Sequence, residues 1–112
     1  MRFFIQYGLI LSILLPTLTQ AAENKERSGK VTLSANSGYI IVTIHDENMN
    51  SCANRYYFKP ETDYNRAMLS MLLSAQMAGR GVWVNGSGEC REEYPFNQAY
   101  KLENMTLYSG DS

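Results

Sequence analysis

The stretch 60–85, PETDYNRAMLSMLLSAQMAGRGVWVN, decides how the chain is read. Pro60 with Thr62 or Asp63 supplies a helix start, and Gly79 supplies a stop. Between them Tyr64, Ala67, Met68, Met71, Leu72, Ala75 and Ala78 recur at three- and four-residue spacing, which predicts one broad core-facing side. Leu69, Leu73 and Met77 form a second apolar line among Arg66, Ser70 and Gln76. One side of such a helix rests on a sheet, so the second line needs other cover: a loop, the segment after Cys90, or a neighbouring subunit. Beyond Gly79, residues 81–85 read as a strand with Val82 and Val84 on one side and Trp83 on the other.

Working outward, residues 30–34 (KVTLS) alternate, 35–38 are turn-rich, and 38–45 (GYIIVTIH) alternate again with Ile40, Val42 and Ile44 on one side, so the pair predicts a β-hairpin. Residues 46–51 (DENMNS) are a polar loop, 53–59 (ANRYYFK) a third strand and 100–108 (YKLENMTLY) a fifth. Residues 23–29 are polar and read as a flexible lead-in. The predicted order is β-β-β-α-β-β. Five short strands interrupted once by a helix after the third is the order of an OB-fold, a small partly open barrel. The alternative is an α+β fold with one helix on an antiparallel sheet.

The first 22 residues read as a signal peptide rather than as part of the fold. Arg2 precedes the apolar run 9–15 (LILSILL), and Thr19 and Ala21 place small residues at −3 and −1 of a cleavage site. A membrane anchor is the competing reading, but the run 3–18 contains Gln6, Pro16 and Thr17 and is shorter than the roughly 20 apolar residues a span needs. Residues 23–112 are then a single 90-residue domain, exported to the periplasm or secreted, with no membrane span. Loss of Arg2 takes the formal charge from −1 to −2, which argues against nucleic acid as a partner. In an oxidising compartment Cys52 and Cys90, the only cysteines, are expected to form a disulfide, worth roughly 4 kcal/mol on chain-entropy grounds.

Catalytic and metal chemistry find little support. His45-Asp46-Glu47 is the one place where an imidazole meets carboxylates in sequence, and it reads as a strand end entering a solvated loop. Gly86-Ser87-Gly88 reads as a turn, not a nucleophile elbow. Glu89, Glu92 and Glu93 lack the ligand spacing of a calcium loop, and one histidine with two distant cysteines makes no zinc site. No catalytic residue, metal or cofactor is therefore expected. Asn85-Gly-Ser and Asn104-Met-Thr fit the glycosylation sequon.

The helix and the strand after it, 67–84, flanked by Cys52 and Cys90, resemble the B subunits of pertussis- and subtilase-type toxins. The resemblance implies an OB barrel, five copies in a ring with the helices around a central pore, binding to sialylated or other cell-surface glycans, and a separate catalytic A chain. Leu69, Leu73 and Met77 would then lie at the pore or between neighbouring helices. From the residues themselves, the glycan site expected is the polar loop 46–51, with Asn50 and Ser51 in it, together with Arg55, Tyr57 and an outward-facing Trp83 stacking on a sugar face. Arg55 can pair with a sialic acid carboxylate. The alternative function is a monomeric exported protein-interaction or inhibitor domain.

Overall fold

The computed structural model describes residues 24–109; the signal-peptide reading of 1–22 lies outside them. Five strands and one helix follow the predicted order: β1 (Glu26–Asn36), β2 (Tyr39–His45), β3 (Arg55–Phe58), α1 (Asp63–Ala78), β4 (Val82–Arg91) and β5 (Ala99–Leu107). β1 and β2 form a hairpin closed by Ser37 and Gly38, both at positive φ (54° and 86°), the two-residue turn whose twist matches its strands. The hairpin pairs antiparallel with β3, β3 pairs in parallel with β5, and β5 pairs antiparallel with β4. β4 then pairs with the start of β1, so the mixed sheet closes on itself in the order β1-β2-β3-β5-β4.

Two strands are longer than their local sequence shows. β1 begins at Glu26, where a flexible lead-in is expected from composition, because Glu26–Gly29 finds a ladder against Asn85–Val82 of β4. Nothing in the polar run itself signals a strand; the distant partner creates it. β4 likewise runs through Gly86-Ser87-Gly88, which reads as a turn, because Gly86 and Ser87 pair with Leu102 and Lys101. Gly86 is there for close approach: a Cβ at this position would lie 2.8 Å from the Tyr100 Cβ and 2.9 Å from the Tyr56 ring. β3 is shorter than predicted, because Ala53 and Asn54 turn at positive φ (59° and 55°) just before it.

The caps of α1 are as predicted. Thr62 accepts a hydrogen bond from the Asn65 amide, and Gly79 at φ 67° ends the helix. Gly79 and Arg80 donate to the Gln76 and Ala75 carbonyls, the Schellman arrangement. The core-facing side is narrower than its periodicity suggests. Met68, Leu72 and Ala75 are buried, whereas Tyr64, Ala67, Met71 and Ala78 are exposed. The reason is geometric: the helix packs against β1 and β5 of a small barrel, and one line of residues enters the shared core with Val31, Val42, Ile44, Val82 and Val84. Tyr64 instead reaches along the surface, its hydroxyl donating to the Glu103 carbonyl.

The disulfide forms between Cys52, fully buried, and Cys90, joining the β2–β3 loop to the end of β4. The segment 92–98 folds over the outside of β2 and β3, where Phe96 packs edge-on to Tyr39 and tilted against Tyr57. The Arg91 guanidinium lies over Phe96, and Ile41 is buried in this region. That segment therefore covers the hairpin, and the apolar line on α1 is only partly covered: Leu69 packs against the core, while Leu73 and Met77 stay exposed.

The two sides of α1 should separate in a denaturation series. Leu72→Ala should lower unfolding free energy by about 2–5 kcal/mol, and Met77→Ala should change it by less than about 0.5 kcal/mol. Urea titrations of both variants check this, and equal losses would mean that the outer line is also packed.

Candidate functional site

β1 is a strand with two consecutive sets of partners. Gly86 donates to the Lys25 carbonyl, so odd-numbered residues at its start direct their backbone groups to β4. Even-numbered residues point to the other edge, where β2 begins only at the Lys30–His45 pair. Among the described residues Ser28 therefore has no strand opposite it on that edge. The seam is bordered instead by the loop that leaves β2, and a cleft of about 410 Å³ opens between them. Its lining is Glu26, Arg27 and Ser28 of β1 with Asn24 before it, Trp83 of β4, and Asp46 and Asn48 of the loop.

Asn54 holds that loop in place. It is buried, and its amide group donates to the carbonyls of Asp46 and Asn48. Its oxygen accepts from the Asn50 amide (2.8 Å) and from Nε of Arg27 (3.1 Å), tying the loop to β1. All its capacity is used, as a buried amide requires. Asn50 completes the arrangement by accepting from the amides of Cys52 and Asn54 and donating to the Tyr56 hydroxyl. The Tyr56 hydroxyl donates to the Lys25 carbonyl at 2.9 Å. Burial pushes the Tyr56 phenol up to about 12, against the opposing pull of the Asn50 hydrogen bond and the Arg27 charge.

Trp83 faces outward opposite Ser28, half-buried, with its indole N–H donating to Glu26 at 3.3 Å. The other four residues expected at a glycan site lie elsewhere. The Asn50 side chain is engaged inside the loop, and the Ser51 hydroxyl meets that of Tyr100 at 3.1 Å. Tyr57 packs in the outer aromatic cluster beneath Arg91. Arg55 sits across from Thr43 on β3, and its buried Nε has no hydrogen-bond partner. The five thus do not converge. Trp83 is instead brought together with Asn24, Glu26, Arg27 and Ser28, which sequence reasoning assigns to the lead-in. The run is polar throughout and carries no sequence signal of its own; only the β4 strand beside it makes these residues a site.

His45 is exposed, with Nε2 2.6 Å from the Thr32 hydroxyl. Thr32, its hydrogen-bond partner, is an exposed residue of β1. Among the described residues no three histidine, cysteine, aspartate or glutamate side chains group as metal ligands, and no helix is long and apolar enough to cross a membrane. Comparison with protein-family models, with curated proteins and with solved structures finds no match to the chain.

The Tyr56 environment has a measurable consequence. Its raised value means the fold favours the neutral phenol, so this contribution is complete below pH 10, the ordinary tyrosine range, and is lost as the pH climbs through about 12. Tyr56→Phe should cost about 0.5–1.5 kcal/mol at pH 8 through the lost hydrogen bonds. It should also decline less than the wild type between pH 10 and 12. Parallel urea titrations across that range test both statements; identical pH slopes would exclude Tyr56 as the titrating group.

Proposed function

We propose that this chain is an exported, non-catalytic binding protein that recognises cell-surface glycans through the cleft at Trp83. The observation that carries the reading is the pairing of a half-exposed indole with short polar side chains and an unpaired strand edge. A flat aromatic ring packs against the apolar face of a pyranose, and the groups around it suit its hydroxyls: the carboxamides of Asn24 and Asn48, the Ser28 hydroxyl, and the Asp46 and Glu26 carboxylates. Charges of both signs stand in the cleft, which fits a neutral or weakly charged sugar better than a polyanion. Of the predicted glycan residues, Trp83 contacts the ligand in this reading; Asn50 positions the loop, and Ser51, Arg55 and Tyr57 lie outside the cleft.

The strand order, with the closing β1–β4 pairing and a helix after β3, supports an OB-fold of the toxin B-subunit type. In that reading α1 is the assembly element. Leu73 and Met77 are exposed, and Leu69 and Leu73 line an apolar depression of about 200 Å³ against Leu33, Ala35 and Ile40 of the hairpin. A homo-oligomeric ring, pentameric in this toxin class, covers these residues, with a separate A chain as its partner. A disulfide-bonded domain suits the periplasm or the outside of the cell.

Glycan-array binding of the wild type and Trp83→Ala tests recognition: the wild type should give discrete sugar hits, and the variant should lose them by tenfold or more. Sedimentation tests assembly. A particle of about five mature masses that dissociates on Leu69→Gln/Leu73→Gln supports the ring; a monomer at millimolar concentration, with no array hits, supports the protein-interaction alternative instead.

A further inference from the structure

The cleft at Trp83 does not end at Ser28. A second depression of about 380 Å³ adjoins it, lined by Gly29, Lys30, His45 and Glu47 and sharing Ser28 and Asp46 with the first. The two are one groove. From Glu26 to Lys30 it follows β1 for about 13 Å at 3.3 Å per residue, and each half is of a size that holds a small ligand by itself. Alternation along β1 gives the groove a repeat: Val31 is buried, whereas Glu26, Ser28, Lys30 and Thr32 are all exposed on the outer face. Such a row presents one hydrogen-bonding side chain about every 7 Å. The cross-strand partners extend it, because Trp83 stands opposite Ser28, and His45 stands opposite Lys30.

The two halves differ in chemistry. The first carries the indole and the carboxamides; the second carries Lys30, Asp46, Glu47 and an imidazole held in orientation by Thr32. Among the described residues no tryptophan, tyrosine or phenylalanine lines the second half. We infer that the groove takes a linear oligosaccharide of at least two units, the first ring stacked on Trp83 and the next held over Ser28 by hydrogen bonds that Lys30 donates, Glu47 accepts and the His45 ring shares. This rests on the glycan reading of the Trp83 cleft and adds the shape of the ligand and a second set of contacts. A regularly spaced row of donors and acceptors matches a ligand that itself repeats, and a single sugar leaves half the row unused.

An array that presents each terminal sugar as a mono-, di- and tetrasaccharide, read with the wild type, Trp83→Ala and Lys30→Ala/Glu47→Gln, tests it. The wild type should bind its preferred sugar at least tenfold more tightly as a disaccharide than as a monosaccharide. The Lys30/Glu47 variant should lose that gain and keep the monosaccharide affinity, and Trp83→Ala should lose binding at every length. Both changes are at exposed polar positions, and an unchanged thermal midpoint verifies that the variant is folded. Equal wild-type affinity for all lengths, or equal losses by the Lys30/Glu47 variant at all lengths, overturns the second subsite while leaving the glycan reading intact. Absence of any wild-type hit overturns the glycan reading itself.

Discussion

The change of partner along β1 is the constraint on which the rest of the molecule depends. An eleven-residue strand serves β4 with its first four residues and β2 with the remainder, using opposite edges for the two. This offset closes a five-stranded sheet without requiring strands of equal length. It also leaves two half-edges unpaired, one at each end of the strand. At the C-terminal half, α1 covers the edge, and the Gln76 side chain accepts the Leu33 amide in place of a strand carbonyl. At the N-terminal half no element covers it among the described residues, and the groove lies there.

An open edge invites indiscriminate strand pairing unless something restricts it. Here the restriction is the loop between β2 and β3. Asn54 binds that loop to itself and to Arg27, and the Cys52–Cys90 bridge ties the same loop to β4. The outcome is a polar channel with charged walls rather than a flat apolar edge. Three local devices, two residues at positive φ, a buried amide and a disulfide, thus converge on one loop.

The sequence shows how much a short polar stretch leaves undetermined. Asn50 and Ser51 have the side chains that bind hydroxyls, yet the Asn50 side chain satisfies backbone amides of its own loop, and Ser51 meets Tyr100. Tyr57 has the ring that stacks on a sugar, yet its neighbour is Phe96, brought from 39 positions away by the fold-back of 92–98. Residue type names a capacity; the contacts decide how it is used. On α1 the same holds for Tyr64 and Met71, which keep the helical spacing of core residues but miss the narrow opening of the barrel.

What the sequence by itself determined is everything carried by spacing of a few residues: the alternation of β2, the caps of α1, the outward side of Trp83, the order of the elements, and, through the cysteine count, the disulfide. These follow from periods of two and of 3.6 and from the chemistry of helix ends, all local properties of the chain. The tertiary structure alone decided that Glu26–Gly29 is a strand, that β4 continues through its glycines, and that Trp83 shares a groove with Asn24, Ser28 and Asp46. Each of these depends on hydrogen bonds and contacts between segments tens of residues apart. A polar run has no hydrophobic period to announce such a partner, so its structure is set by the strand that closes against it.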